Sequence, residues 1–567
     1  MNARAGTGGT ARSRHKATAA SRTTSTAGSP GTRPGARVEY RIYPSIGIAR
    51  IGDSEQGFFI GPESPGSLPA GPYRDSDGIR PQAARFRIYR VEIDENENER
   101  ASAEIVPSTT TKIEWSVELA NRKAAAFRIG DTLARKQNPG PRNKGLIREK
   151  LVISARATIK GTNAAAVAIA GRIEFARGNA KGKVVDKIGL AKLTTDSRGR
   201  LLVVGGKGKS GSPLNAPIDS FSDNDGWFDS VSDGPVQATL SIKGVKLPVV
   251  PAWVVVTVPR YAPQVYGIVT WYDQAVSMAR TADDGSFEAP RSTSFTGDVY
   301  PILARADGLH VVHMGTHASG PRPLSDSARL QELQNLPARA RLLAKLTPLN
   351  LEAPAPEDKP IAGDGSGFRM PYMNSGANPD AGGPPWAFLS LTRYQLAHIQ
   401  HWVAGNFADD WPGQPPKPVP FDKIEVGDQP AALNEAALEA CVGGSFFPGI
   451  EGTYDIARVS AYHPQRNLRR DLRLNPAHLP GFVTEKMALP WQADFADCAD
   501  YWWPSQRPVN VTKQDGTRDQ WARGITGTSR NAHLNMVDFW SSLAHVLRVQ
   551  GGAGFAEVGR KPINGVS

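Results

Sequence analysis

Apolar and polar residues alternate along much of the first 260 positions. Val38-Glu-Tyr-Arg-Ile-Tyr opens the pattern, and runs of the same kind start at Phe86, Lys112, Leu151, Leu201 and Ala238. A period of two places one face of a strand on a core and the other in solvent. Val249 to Val258 is a more continuous apolar run, also strand-like. Asp77-Gly78, Asp225-Gly226 and Asp233-Gly234 are turn signals between runs. Later the period changes. A helix is predicted over roughly 264–281, and another from Ser325 towards Leu346. Residues 350–385 read as a connecting loop. Thr392 is placed to cap a helix over Tyr394–Val403, with Gly405 beyond its end. Asp428 and Pro430 open a further helix, Ala431–Val442, stopped by Gly443-Gly444, which puts Cys441 in its last turn. A last helix is predicted near Val537–Val549.

These elements predict an α+β protein. A tail over 1–37 precedes a β-rich, sandwich-like domain over 38–300. A helical segment and long loop follow over 301–385, then a mixed, loop-rich, more helical carboxy-terminal domain over 386–567. The 57 glycines and 45 prolines agree with many turns. No apolar run reaches the ~18 residues of a membrane-spanning helix. The net charge of +12 at first suggests nucleic-acid binding. Its distribution removes that reading. Seven basic residues and no acidic ones lie in the first 37 positions, which leaves +5 for the remaining 530. A tail rich in Thr, Ser, Gly and Ala is expected to be disordered. It has no apolar secretory-type region, so a cytoplasmic location, or export without a recognisable signal peptide, is expected.

Two cysteines exclude a disulfide scaffold. His310-x-x-His313-x-x-x-His317 has zinc-like spacing but reads as a strand with a turn, which would put His310 and His313 on opposite faces. No metal site is expected there. Asp223-Asn-Asp225-Gly226 lacks the later positions of a calcium loop, and Gly205-Gly-Lys-Gly-Lys-Ser lacks phosphate-loop spacing. The run from Asp223 to Pro235 mixes aromatics with turn residues, so Trp227 and Phe228 are candidates to face a pocket. Eight of the twelve tryptophans follow residue 380, in the same third of the chain as Cys441 and Cys498. The two segments that stand out are Cys441-Val-Gly-Gly-Ser-Phe-Phe-Pro-Gly-Ile-Glu451 and Pro490-Trp491-Gln-Ala-Asp494-Phe-Ala-Asp497-Cys498-Ala-Asp-Tyr-Trp502-Trp503-Pro504. Taken as residues alone, they fit aromatic packing, with a Cys441–Cys498 disulfide as one option.

At these residues the chain resembles the LodA-like quinoprotein amino-acid oxidases, the L-lysine ε-oxidase and glycine oxidase type. Ile42-Tyr-Pro-Ser-Ile-Gly-Ile-Ala-Arg-Ile-Gly-Asp53 and Gly226-Trp-Phe-Asp-Ser-Val-Ser-Asp-Gly-Pro share the resemblance, which spans about 38–560. It implies a cysteine tryptophylquinone made from Cys441 and Trp491, with Trp502 and Trp503 as the fallback. It implies attack of a substrate amine on the quinone to give a Schiff base, removal of a proton by a carboxylate, and release of ammonia and H2O2 with O2 as oxidant. Candidate bases are Asp494, Asp497 and Glu451. Phe228 and Trp227 are implied near the substrate pocket. A flavoprotein maturation partner and a homo-oligomer are also implied, with no role for nucleic acid or membrane. Cys498 is left as a buried structural thiol. The family has a maturation carboxylate shortly before the cysteine. Here Ala437 is the fourth residue before it, with Glu439 and Glu435 nearby, so a catalytically inactive relative of the same fold stays open as the alternative.

Overall fold

A computed structural model describes residues 37–69, 71–128, 140–312, 339, 391–443, 452, 454–464, 471–497, 505–525, 532–549 and 554–563. The amino-terminal half contributes β1 (Arg37–Tyr43), β2 (Ile46–Arg50), β3 (Phe59–Ile60), β4 (Gln82–Ile93), β5 (Glu99–Ile105), β6 (Thr111–Asn121) and β7 (Ile153–Lys160). It continues with β8 (Val167–Phe175), β9 (Lys183–Thr195), β10 (Leu201–Gly205), β11 (Ser232–Ile242), β12 (Val245–Leu247), β13 (Val249–Val250) and β14 (Ala252–Thr257). Together they form a 14-stranded sheet whose main path runs β7-β6-β11-β14-β2-β4-β10-β9-β8. The ends of that path, β7 and β8, pack on each other, so the sheet curls back on itself. The long β4 makes the change of layer. Its first half pairs with β10 and β3, and its second half with β1 and β5.

The alternation behaves as the pattern predicts in β6, where Ile113, Trp115, Val117 and Leu119 are buried. In β2 and β14 it disappears, because every residue of both strands is buried. These two strands run parallel, with Trp253 opposite Ile46 and Thr257 opposite Arg50. Strands covered on both faces carry continuous apolar runs. Asp233-Gly234 is not a turn but lies inside β11. A Cβ on Gly234 would lie 2.0 Å from the Glu118 carbonyl oxygen, so the glycine serves a close approach to β6.

The helices are α1 (Trp271–Ala279), α2 (Tyr300–Gly308), α3 (Arg393–Ala404), α4 (Gln429–Glu439), α5 (Trp491–Asp497) and α6 (Ala532–Phe539). α3 matches its prediction closely, with a Thr392–Gln395 capping box and Gly405 at φ 84°. α1 starts at Trp271 rather than near 264, because Thr270 and Asp273 form a capping box there. The stretch around His310 is helical, ending α2 in a short 3-10 turn, and not a strand. The predicted helix over 537–549 is instead α6, a 3-10 turn and the strand His545–Arg548, paired with Phe555–Val558. The predicted helix after Ser325, the loop over 350–385, and His313 and His317 lie outside the described residues. No helix among those described is long and apolar enough to cross a membrane.

The carboxy-terminal segment is joined to the sheet by two buried aspartates of the Gly226–Pro235 motif. Asp229 accepts from Lys123 Nζ at 2.7 Å, Asn121 Nδ2 at 2.7 Å and the Trp491 backbone N–H at 3.0 Å. Asp233 accepts from the Trp253 indole, Thr484 Oγ1 and the Val483 and Thr484 N–H groups. Burial pushes the Asp233 carboxyl up to about 6. Replacing Lys123 with alanine leaves the buried Asp229 carboxyl without its cation. The expected cost is about 3–5 kcal/mol. Urea unfolding of Lys123→Ala should show a clearly lowered midpoint, and an unchanged midpoint would remove the ion pair as the fastening.

Candidate functional site

α4 ends at Glu439, and Cys441 lies two residues beyond it rather than in its last turn. The helix stops early because the next residues are committed to the start of α1. The Trp271 N–H donates to the Cys441 carbonyl at 3.1 Å, and the Gly443 N–H donates to the Val269 carbonyl at 3.0 Å. Val442 and Thr270 form a β-bridge. A Cβ on Gly443 would sit 2.1 Å from the Thr270 oxygen, so the Cys-x-Gly motif needs glycine for backbone contact as well as for helix termination.

Cys441 is 1% exposed and packs in a cluster with Ile46, Ile48, Trp253, Val255, Trp271 and Leu438. Arg50, at the end of β2, reaches it: Nη2 lies 3.6 Å from Sγ and donates to the Ala440 carbonyl at 3.1 Å. Nη1 of the same residue donates to the Val258 carbonyl at 3.2 Å. Arg260 also donates to the Ala440 carbonyl and to Val265. Two buried guanidiniums therefore meet on the carbonyl just before the cysteine. Sequence reading missed both arginines. Arg50 stands inside the Ile42–Asp53 motif, so its place in that motif was the available signal.

Glu439 is buried on the other side of this turn. Its carboxylate accepts the Gly66 N–H and lies 3.9 Å from Arg305, which bonds Asp273 at 2.8 Å. Burial pushes Glu439 up to about 7, with Arg305 opposing and Glu435 adding to the rise. Glu435, one turn earlier, is raised by burial too. Ala437 is buried, and its carbonyl lies 3.5 Å from Cys441 Sγ.

The other expected site residues are more dispersed. Trp491 opens α5 and packs edge-on against Phe495 and Trp540, with ring centres 4.9 and 5.6 Å away. It belongs to the main core cluster and Cys441 to another, so the structure does not pack these two side chains into one cluster. Asp494 is buried, near enough to Lys123 to act on its charge. Asp497 is 46% exposed at its side chain and pairs with His533 at 2.8 Å. Trp227 and Phe228 are buried in the main core, where the Trp227 indole donates to the Ala216 and Pro217 carbonyls. Glu451, Cys498, Trp502 and Trp503 lie outside the described residues. The chain is described again from Ser505, and there it returns to the cysteine's surroundings. The Ser505 and Gln506 carbonyls accept from Ala262 and Tyr261, and Gln506 Nε2 donates to the Pro259 carbonyl at 2.8 Å and to Val258 at 3.4 Å. Gln506 thus shares the Val258 oxygen with the arginine that touches Cys441.

A cleft opens beside Ala440, lined by Arg50, Arg260, Arg80, Phe59, His545 and prolines, with no acidic residue among its walls. Burial and the Arg74 charge hold His545 down to about 3, so its ring is neutral. No group of three or more metal-ligating side chains occurs among the described residues.

The raised Glu439 carries a sign. Its folded value lies above the ordinary 4.5, so the folded state holds the proton more tightly. That contribution to stability is complete below pH 4.5 and is lost as pH rises through about 7. Glu439→Gln is expected to flatten this part of the stability profile when urea midpoints are compared between pH 4.5 and 8. A parallel profile in the variant would contradict the assignment.

Two family models match the chain: L-lysine epsilon oxidase N-terminal over residues 43–256, and L-lysine epsilon oxidase C-terminal domain over 372–521. L-lysine 6-oxidase of Marinomonas mediterranea is 24% identical, the match covering 89% of this chain and 86% of that protein. Solved structures of the L-Lys epsilon-oxidase from the same organism superpose with a TM-score of 0.68, and of 0.67 for its Schiff base intermediate with L-Lys. Both are 22% identical and cover 92% of this chain and 95% of theirs. The two models together cover more than half of the sequence, and the fold agrees over nearly all of it, so the chain belongs to the LodA-like, L-lysine epsilon oxidase family.

Proposed function

We propose that this protein is an amino-acid oxidase. It would remove the amine of an amino acid oxidatively, with O2 as acceptor and H2O2 and ammonia as products, on a cysteine tryptophylquinone that includes Cys441. The observation that carries this reading is the buried Cys441 thiol held beside two guanidiniums at the junction of sheet and helix, in a chain of this family. When formed, such a quinone supplies the electrophile and takes up two electrons. The rest falls to the chain. Arg50 orients Sγ. The surrounding cluster keeps water from the thiol. Glu439 holds or releases a proton near neutral pH, as an acid–base group should. Asp494 is the second buried carboxylate suited to accept a proton, while Asp497 is tied to His533 at the surface.

The tryptophan half is assigned to Trp491 at the start of α5, with Trp502 and Trp503 as the fallback.

Co-expression with a flavoprotein of the maturation type, followed by peptide mapping, tests both points. The expected result is a Cys441 peptide linked to the Trp491 peptide and carrying two added oxygens, with peroxide released on addition of amino acids. A link to Trp502 or Trp503 instead would move the assignment to the fallback. A Cys441 thiol with every tryptophan unmodified, and no peroxide, would leave the inactive relative as the correct reading.

A further inference from the structure

Five of the buried tryptophans donate their indole N–H to a partner: Trp115, Trp227, Trp253, Trp271 and Trp521. Trp491 does not. It is 2% exposed, and its Nε1 is buried with no hydrogen-bond partner among the described residues. An unpaired buried donor costs free energy, and a native structure keeps one only where the surroundings hold the group for another reason. Here it is the backbone that is held. Arg142 Nη2 donates to the Met487 carbonyl at 3.1 Å, and Lys123 Nζ to the Ala488 carbonyl at 2.9 Å. Leu489 donates to the Ser222 carbonyl and accepts from Asn224 Nδ2, both at 2.9 Å. The Trp491 N–H goes to Asp229 Oδ2 at 3.0 Å. All five contacts come from residues 123–142 and 222–229, so two nearby segments grip one stretch of backbone that ends at this tryptophan.

The grip has a fixed place on the sheet. Asp229 also accepts from Asn121, the last residue of β6. Across the adjacent strands β6, β11, β14 and β2, Ala120 pairs with Asp233, Ser232 with Val256, and Thr257 with Arg50. Asn121 and Arg50 therefore stand at the same end of four neighbouring strands. Three strand spacings of ~4.8 Å put them about 14 Å apart. Arg50 Nη2 lies 3.6 Å from Cys441 Sγ. The cysteine and the tryptophan thus hang from one end of one sheet, each by a buried charged side chain.

We propose that Asp229 is a positioning residue for Trp491: with Lys123 and Asn224 it sets the tryptophan half of the cofactor at the sheet end that also holds the cysteine half. The word cofactor rests on the reading above, but the hold on Trp491 does not. The inference adds no step to the chemistry and concerns placement alone. The acceptor oxygen of Asp229 is the part that matters, because the bond it accepts is the one that reaches Trp491.

Two variants separate the oxygen from the charge. Lys123→Met removes the cation and lets Asp229 take a proton, which keeps an oxygen for the Trp491 N–H. Lys123→Met/Asp229→Ala removes that oxygen too. Leu193→Ala, in β9 and outside the four strands, controls for lost stability. Each protein is co-expressed with the flavoprotein, the folded fraction is isolated, and the Cys441–Trp491 peptide is quantified by mass. The same proteins made without the flavoprotein are followed by hydrogen exchange of the peptide over 487–497. Lys123→Met and Leu193→Ala should link within about two-fold of wild type. The double variant should lose roughly 10-fold in linked fraction and exchange the Trp491 N–H roughly 10-fold faster, the size of one lost hydrogen bond. Should the double variant not fold, Asn224→Ala removes the bond to Leu489 without touching a charge, and it should lower the linked fraction several-fold and speed exchange of the same peptide. Equal linked fractions in Lys123→Met and the double variant overturn the proposal, as does an equal loss in Leu193→Ala, or an Asn224→Ala protein that links and exchanges like wild type. A wild-type protein without a Trp491 link, in which the exchange differences persist, would instead overturn the cofactor assignment and keep Asp229 as the hold on Trp491.

Discussion

Asp229 is the residue on which the two halves of this protein depend. Its carboxylate takes a lysine, an asparagine and the first backbone N–H of α5 out of water together. A buried charge is tolerable only when paired and bonded in this way. Lys123 is fully buried, and its other bond goes to the Ala488 carbonyl at 2.9 Å. Sheet, motif and α5 are therefore fastened at one point. Arg142 repeats the arrangement nearby, bonding Asp223 and the carbonyls of Ser222 and Met487.

The cysteine turn uses the same principle at the same end of the central strands, beside β2 rather than β6. Here the cations are Arg50 and Arg260, and the acceptors are backbone carbonyls and a thiol. The helix that precedes Cys441 contributes two carboxylates, Glu435 and Glu439, whose charge is disfavoured by burial and balanced by Arg305. Charged groups of opposite sign thus flank the cysteine from opposite sides. A sheet supplies one side and a helix the other, and placing a site on such elements keeps its geometry fixed.

Much of the strand order in sequence was readable because period two survives wherever one face is wet, as in β6. It failed where both faces are covered: β2 has no polar residue to mark it as a strand except Arg50 at its end. The caps of α3 were readable because Thr392 and Gly405 act locally. The end of α4 was misplaced by three residues because Val269 and Thr270, distant in sequence, claim the backbone that would have continued it. Trp227 and Phe228 drew attention as bulky aromatics in a turn-rich run. The residues of that motif that reach the carboxy-terminal segment are instead Asp229 and Asp233, because a short buried carboxylate can gather several donors and an aromatic ring cannot.

By itself the sequence determined the class of fold, the family, and the cysteine around which any chemistry is built. Those follow from local patterns: hydrophobic period, caps, and runs of unusual residues. The tertiary structure decided which cations face Cys441 and which carboxylates are raised by burial. These are matters of desolvation and distance between residues up to several hundred positions apart, as between Arg50 and Cys441. No period or spacing along the chain encodes such a distance, because it exists only once the sheet has closed.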